Sequence, residues 1–260
     1  MRSILVSGES GPGAEVRLQA AIDLAGFFGA HLTVLFSLPV SRYVGFDGIG
    51  GSYVVADALE QARADEDKAV ATLEQRLTRE GVPFDVVRSE EEPGAAIASA
   101  ARLADLIVLS RSNPLAGDVV LMGQVPVLAL PDEGRLVMPP RSACVGWNGG
   151  DEAAAAVRAA VPLLAKCEKV QVVRIAEKAG GYPGTDVLRY LSRHGICAEL
   201  NEVERNGSVE ETLAAAVSQS GADLLVIGAY GKSRLREYLF GGVTAHFLQD
   251  QSAPALLLAH

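Results

Sequence analysis

The sequence predicts an α/β protein made of two similar halves, each a five-stranded parallel sheet covered by helices. Three observations carry that expectation: aliphatic runs that alternate with Ala-rich stretches, an internal repeat, and a proline-marked crossing midway along the chain. Aliphatic strands alternating with helices specify a parallel sheet buried on both faces.

The repeat is read from three pairs of segments. Ala104-Asp105-Leu106-Ile107-Val108-Leu109-Ser110 answers Ala222-Asp223-Leu224-Leu225-Val226-Ile227-Gly228, and Val125-Pro126-Val127-Leu128-Ala129-Leu130 answers Ala253-Pro254-Ala255-Leu256-Leu257-Leu258. Near the start of each half, Ile4-Leu5-Val6-Ser7-Gly8-Glu9-Ser10 answers Ala143-Cys144-Val145-Gly146-Trp147-Asn148-Gly149. Self-similarity of this kind sets the architecture before any single element is assigned.

Taken in order, the strands of the first half are expected near 3–8, 32–38, 83–88, 105–110 and 126–130, and those of the second near 143–148, 169–175, 197–203, 223–228 and 254–258. Helices are expected over Gly13 to Phe28, Asp151 to Lys166 and Ser208 to Ser220. The first half is longer between its first and fourth strands, and the extra length is placed around Ser41 to Ala64, ahead of a long helix ending near Arg79. It is shorter between its fourth and fifth strands, from Ser110 to Val125. The halves are read as residues 1–132 and 142–260 with a linker at 133–141, where Pro139-Pro140 disfavours helix.

Composition narrows the function. The chain of 260 residues is 49% hydrophobic and 21% charged, enough apolar content to exclude general disorder. No apolar run approaches the ~20 residues of a membrane-spanning helix, and no export signal follows Met1, so no membrane partner and a cytoplasmic location are expected. A net charge of −9 argues against nucleic acid as a partner. That acidity sits in residues 1–140, with 11 basic and 19 acidic side chains, whereas residues 141–260 carry 12 and 13. An anionic ligand therefore meets less repulsion at the second half. The cysteines Cys144, Cys167 and Cys197 have neither number nor spacing for a disulfide framework or zinc cluster.

In open parallel sheets, ligands bind beyond the carboxyl ends of the strands where strand order reverses. There the second half reads Gly228-Ala229-Tyr230-Gly231, then nine residues, then Gly241-Gly242-Val243-Thr244, enclosing the basic stretch Lys232-Ser233-Arg234-Leu235-Arg236. Glycines admit backbone amides close to a phosphate, and a helix starting near Val243 would offer free N–H groups to an anion. Two ordinary turns around a solvated charged face are the other reading of the same residues.

With these residues in view, the chain resembles a tandem universal stress protein over nearly its whole length. The signature of nucleotide-binding members is Gly, two residues, Gly, nine residues, Gly and then Ser or Thr, and Gly228, Gly231 and Gly241 match it. The resemblance implies the adenine nucleotide α-hydrolase-like, Rossmann-like fold, with paired domains whose last strands cross-pair, here as an intramolecular pseudo-dimer. It also implies, for some members, ATP or a relative with Mg²⁺. On that reading Gly228, Gly231, Gly241, Gly242 and Val243 present backbone donors, Lys232 and Arg234 neutralise phosphate, Thr244 caps the helix, and Asn148 and Ile175 hold the adenosine end. Three departures stand out. Gly242 replaces the hydroxyl residue, Asn148 replaces an acidic one, and the first half carries Ser110-Arg111-Ser112-Asn113-Pro114 in place of the glycine motif, so no nucleotide is expected there.

No catalytic residues are assigned. His31, His194, His246 and His260 are scattered, and the Glu90-Glu91-Glu92 run reads as a solvated turn rather than a metal site. Glu9 is read as a cap for the helix that follows it, and Trp147 as packing against its own helix, with adenine stacking as the alternative. Three functional readings follow: a non-enzymatic stress-response factor that binds adenine nucleotide in its second half; a nucleotide-free scaffold acting through protein contacts; and a slow ATPase. Homodimerisation and the protein partner stay open.

Overall fold

A computed structural model describes residues 1–46, 52–176, 183–231 and 242–260. The first half runs β1 (Ser3–Ser7), α1 (Ala14–Phe28), β2 (His31–Ser37), β3 (Val44–Phe46), β4 (Ser52–Val54), α2 (Ala56–Glu80), β5 (Phe84–Ser89), α3 (Pro93–Ala100), β6 (Leu106–Ser110), α4 (Ala116–Gly123) and β7 (Val127–Leu130). The second runs β8 (Ser142–Gly146), α5 (Asp151–Leu164), β9 (Lys169–Ala176), α6 (Gly184–Arg193), β10 (Ala198–Glu204), α7 (Val209–Ser220), β11 (Leu224–Gly228), α8 (Gly242–Gln249) and β12 (Ala255–Ala259). All ten expected strands are present within a residue or two. The antiparallel β3–β4 hairpin inside the long insertion is an addition to the sequence reading, whereas helix α4 in the shortened segment is the helix that the alternation of strands and helices requires between the fourth and fifth strands.

The ten long strands form one sheet in the order β10-β9-β8-β11-β12-β7-β6-β1-β2-β5. Each half is parallel throughout, and the halves meet where β12 pairs antiparallel with β7 through Leu256↔Ala129, Leu257↔Leu128 and Leu258↔Val127. The last strands therefore pair with each other within a single chain. Alternate side chains of each strand serve opposite faces. Ile4, Val6, Leu106, Val108, Leu224 and Val226 pack on one face with α1, α2, α5 and α6. Leu5, Ile107, Leu109, Leu225 and Ile227 pack on the other with α3, α4, α7 and α8. Each face thus carries two helices from each half. Every such Val, Leu or Ile contributes roughly 1.5–3 kcal/mol on full burial, which is why a sequence poor in aromatics still closes a core.

Helix α7 starts with a capping box: Ser208 Oγ accepts from Glu211 N at 3.2 Å, and Ser208 N donates to Glu211 Oε2 at 2.9 Å. Among the described residues no helix is long and apolar enough to cross a membrane.

Candidate functional site

In the second half β8 lies between β9 and β11, so chain order reverses at the β8–β11 pair and a crevice opens beyond their carboxyl ends. A cavity of about 130 Å³ sits there, with Val173, Ile175, Leu213, Ile227 and Val243 forming aliphatic walls beside Trp147, and with Asn148 and Gly228 at its lining. Asn148 follows the end of β8, and its Oδ1 accepts from Gly150 N at 2.9 Å, which turns the chain into α5. Ile175 comes from β9, Gly228 ends β11, and Val243 lies in the first turn of α8. Four sequence-predicted residues from four separate elements are thus brought together.

The glycines have distinct roles. A Cβ on Gly228 would lie 2.5 Å from both Ala153 N and Glu152 C, so a glycine is needed to let α5 pack against the end of β11. Among the described residues, a Cβ on Gly231 would meet only Glu152 Oε2, at 3.7 Å, an ordinary contact. Gly242 is the first residue of α8, and a Cβ there would lie 3.2 Å from Glu210 Oε1. Thr244 is buried at 2% exposure on α8, inside the fold rather than at its surface. Lys232, Arg234 and Gly241 lie outside the described residues, as does Arg236.

Two carboxylates that sequence reasoning passed over approach the glycine motif. Glu152, 9% exposed in the first turn of α5, approaches Gly231, and Glu210 of α7 approaches Gly242. The available signal was the acidic pair Asp151-Glu152 directly after a strand-end turn, where acidic residues complement a helix N-terminus. Among the described residues no three His, Cys, Asp or Glu side chains gather as a metal group. Trp147 is 7% exposed and packs with Ala156 and Val157 of α5 in the core, as the sequence suggested.

The corresponding crevice of the first half is built differently. Arg17, 5% exposed, fills it: Nε donates to Ser7 O at 2.9 Å, Nη1 to Ser110 Oγ at 2.6 Å and Nη2 to Glu9 O at 2.5 Å. Burial lowers the Arg17 pKa, and Glu9 and Asp132 oppose that shift. An internal cation thus takes up the strand-end oxygens. Glu9 is not a helix cap, because the N-cap of α1 is Gly13 and no side chain bonds to it. A cavity of about 390 Å³ beside Arg17 is lined by Glu9, Glu15, Lys68 and Arg76, and a larger one of about 630 Å³ lies between α1 and the linker, lined by Phe27, Arg135 and Met138.

The residues weighed for catalysis stay apart. His31 pairs with Asp85 at the surface, His194 packs against Tyr190 with ring centres 4.8 Å apart and the rings tilted by 56°, and His246 lies against Phe247. His260 Nδ1 donates to Ala229 O at 2.9 Å. Glu90 pairs with Arg63 at 2.8 Å on the surface, and Glu92 accepts from Ser41.

Comparison with known proteins adds the family. The family model described as the universal stress protein family matches residues 1–126 and again 141–258. A universal stress protein from Archaeoglobus fulgidus DSM 4304 superposes with a TM-score of 0.75 at 12% identity, covering 99% of this chain and 96% of that one. A functionally unknown protein from Pseudomonas aeruginosa PAO1 gives a TM-score of 0.66 at 18% identity, covering 100% and 92%. Both show the fold alone. A universal stress protein solved in complex with cAMP is 22% identical over 47% of this chain and 98% of its own, with a TM-score of 0.37. No curated protein matches the chain.

Proposed function

Because the chain belongs to the universal stress protein family, we propose that it is a cytoplasmic, non-enzymatic stress-response binding protein whose second half, residues 142–260, takes an adenine nucleotide. The observation that carries this reading is the convergence of Asn148, Ile175, Gly228 and Val243 on one aliphatic crevice at the reversal of strand order. A few polar groups around an apolar slot suit a flat heterocycle with a polar edge. Asn148 would meet that edge, since an amide both donates and accepts. The backbone at Gly231 and the start of α8 at Gly242 fit a phosphate group, with Lys232 and Arg234 supplying charge. Mg²⁺, when bound, would shield phosphate charge and would arrive on the nucleotide. Binding acts as a switch to the extent that the ligand prefers one arrangement of the residues around it.

One observation favours the nucleotide-free scaffold. Glu152 and Glu210 bring carboxylates to Gly231 and Gly242, where the phosphates would sit. The first half, with Arg17 in its crevice, serves as the ligand-free partner on either reading.

Calorimetric titration with Mg²⁺-ATP, ADP, adenosine and cAMP separates the two, run beside a Gly231→Asp variant. Saturable heat that the variant loses supports the binding protein. Absence of heat at millimolar ligand together with an unchanged melting temperature overturns it in favour of the scaffold, and sustained phosphate release would reassign the protein as an ATPase.

A further inference from the structure

Tyr230 stands between Gly228 and Gly231, yet its ring does not line the second half's crevice. Its φ is +58°, in the left-handed region that bulky side chains rarely occupy. The ring instead crosses to the first half. A Cβ on Gly117 of α4 would lie 2.2 Å from the Tyr230 hydroxyl oxygen and 3.5 Å from Cζ, so α4 can pass the ring only because residue 117 is glycine. The hydroxyl is buried without a hydrogen-bond partner among the described residues, and burial, then the nearby Asp118 carboxylate, raises its pKa. Two unfavourable features, an outlying backbone angle and an orphaned hydroxyl, coincide at one residue of the glycine motif. Such features persist where surrounding packing over-determines them. Leu248 of α8 completes that packing, 3.5 Å from the same Gly117 position.

Traffic across the seam runs both ways. The residue after β6 in the first half is Arg111, and its guanidinium enters the second half to meet the carbonyls of Asp250, Ala253 and Pro254. The loops that end the fourth strand of each half are thus both seated in the opposite half.

We propose that Tyr230 is a positioning residue: its seat on Gly117 of the first half sets the Gly228–Gly231 turn, so the ligand affinity of the second half depends on a contact in the first. The affinity clause rests on the nucleotide reading above, and the seat itself does not. On this account the first half completes the second half's site without binding ligand. By linkage, a ligand that holds the turn tightens the contact between α4 and Tyr230 by the same factor.

The test measures hydrogen exchange across residues 224–231 without nucleotide, in the full chain and in Gly117→Ala, Tyr230→Ala, Tyr230→Phe and the Gly117→Ala/Tyr230→Ala double variant. Ala229 N, bonded to Ala259 O at 2.8 Å, is the hydrogen-bonded amide that reports on the turn. Gly117→Ala and Tyr230→Ala are expected to speed exchange at Ala229 by about tenfold while β8 and β9 keep their protection, and the double variant is expected to match Tyr230→Ala. Tyr230→Phe, which keeps the ring and removes the orphaned hydroxyl, is expected to exchange like the parent. Unchanged exchange at Ala229 in Tyr230→Ala overturns the seat, as does a Gly117→Ala effect that persists in the Tyr230→Ala background. Should Gly117→Ala fail to fold, the two Tyr230 variants, which only remove atoms, still decide. The same set titrated with Mg²⁺-ATP is expected to bind at least about fivefold more weakly in Tyr230→Ala and Gly117→Ala and normally in Tyr230→Phe. Equal affinity in all four overturns the affinity clause. If the parent chain binds no nucleotide, the nucleotide reading and the affinity clause fall together, and the exchange result alone decides the seat.

Discussion

Nη1 of Arg111 donates to the carbonyl of Ala253 at 3.1 Å, joining residues 142 positions apart across the boundary between the halves. The same guanidinium also meets the carbonyls of Asp250 and Pro254, and it is 4% exposed. Burial pulls its pKa down to about 10 against the opposing pull of Asp250 and Asp132, so it stays charged at neutral pH. Arg111→Met is expected to lower stability by about 2–4 kcal/mol, because several carbonyls lose their donor in a dry setting. Urea unfolding followed by circular dichroism checks this. Arg111→Lys should recover only part of the loss, since an ammonium lacks the planar fork.

Gly228 and Gly231 belong to one motif but should respond differently. Gly228→Ala pushes a methyl against backbone atoms 2.5 Å away and is expected to cost about 1–3 kcal/mol of stability whether or not ligand is present. Among the described residues Gly231→Ala meets only ordinary contact, and it is expected to melt close to the parent, with any effect confined to nucleotide affinity. Differential scanning calorimetry of the two variants tests the distinction.

The ten long strands were legible because parallel strands buried on both faces read as unbroken aliphatic runs, of which Leu106-Ile107-Val108-Leu109 and Leu224-Leu225-Val226-Ile227 are the plainest. The β3–β4 hairpin was not legible, because three-residue strands beside glycines carry no period. Helix α4 was legible only from the alternation of strands and helices, and its Gly117 is explained only by the ring of Tyr230, 113 residues further on. At the candidate site, Asn148, Ile175 and Gly228 could be placed from strand ends alone. Glu152, Glu210 and Arg17 could not, since helix position does not reveal which strand-end atoms a long side chain will reach.

Acid should weaken the packing of α1 on α2. Arg76 donates to both Glu15 oxygens, at 2.8 and 2.7 Å, and this hydrogen bonding holds the Glu15 carboxyl below its ordinary value of 4.5. A carboxyl depressed in the folded state adds stability that is complete above about pH 4.5 and is lost as pH falls through the lower folded value. Glu15 is largely exposed, so Glu15→Gln is expected to cost only about 0.2–1 kcal/mol at neutral pH and nothing at the acid end. Stability curves of both proteins from pH 7 to pH 3 should converge as the pH drops.

Thiol reactivity should follow burial. Cys144 lies in the core with its pKa pushed up to about 12 by burial, and burial followed by Asp223 raises Cys167 to about 11, whereas Cys197 is exposed. At pH 7.5 a disulfide reagent is expected to modify Cys197 first and to leave Cys144 unmodified until the protein is denatured. Peptide mass spectrometry of the quenched reaction gives the order.

The pairing of β7 with β12 also decides how copies of the chain can add to one another. With both inner edges joined, the sheet ends, among the described residues, at β5 and β10. Strand β10 carries Glu199, Glu202 and Glu204, all exposed, within seven residues. Antiparallel addition of a second β10 would bring these like charges face to face, so that margin resists end-to-end growth. Strand β5 exposes one charge of each sign, Asp85 and Arg88. Strand addition therefore meets a margin rich in one sign of charge at β10 and a mixed-charge margin at β5.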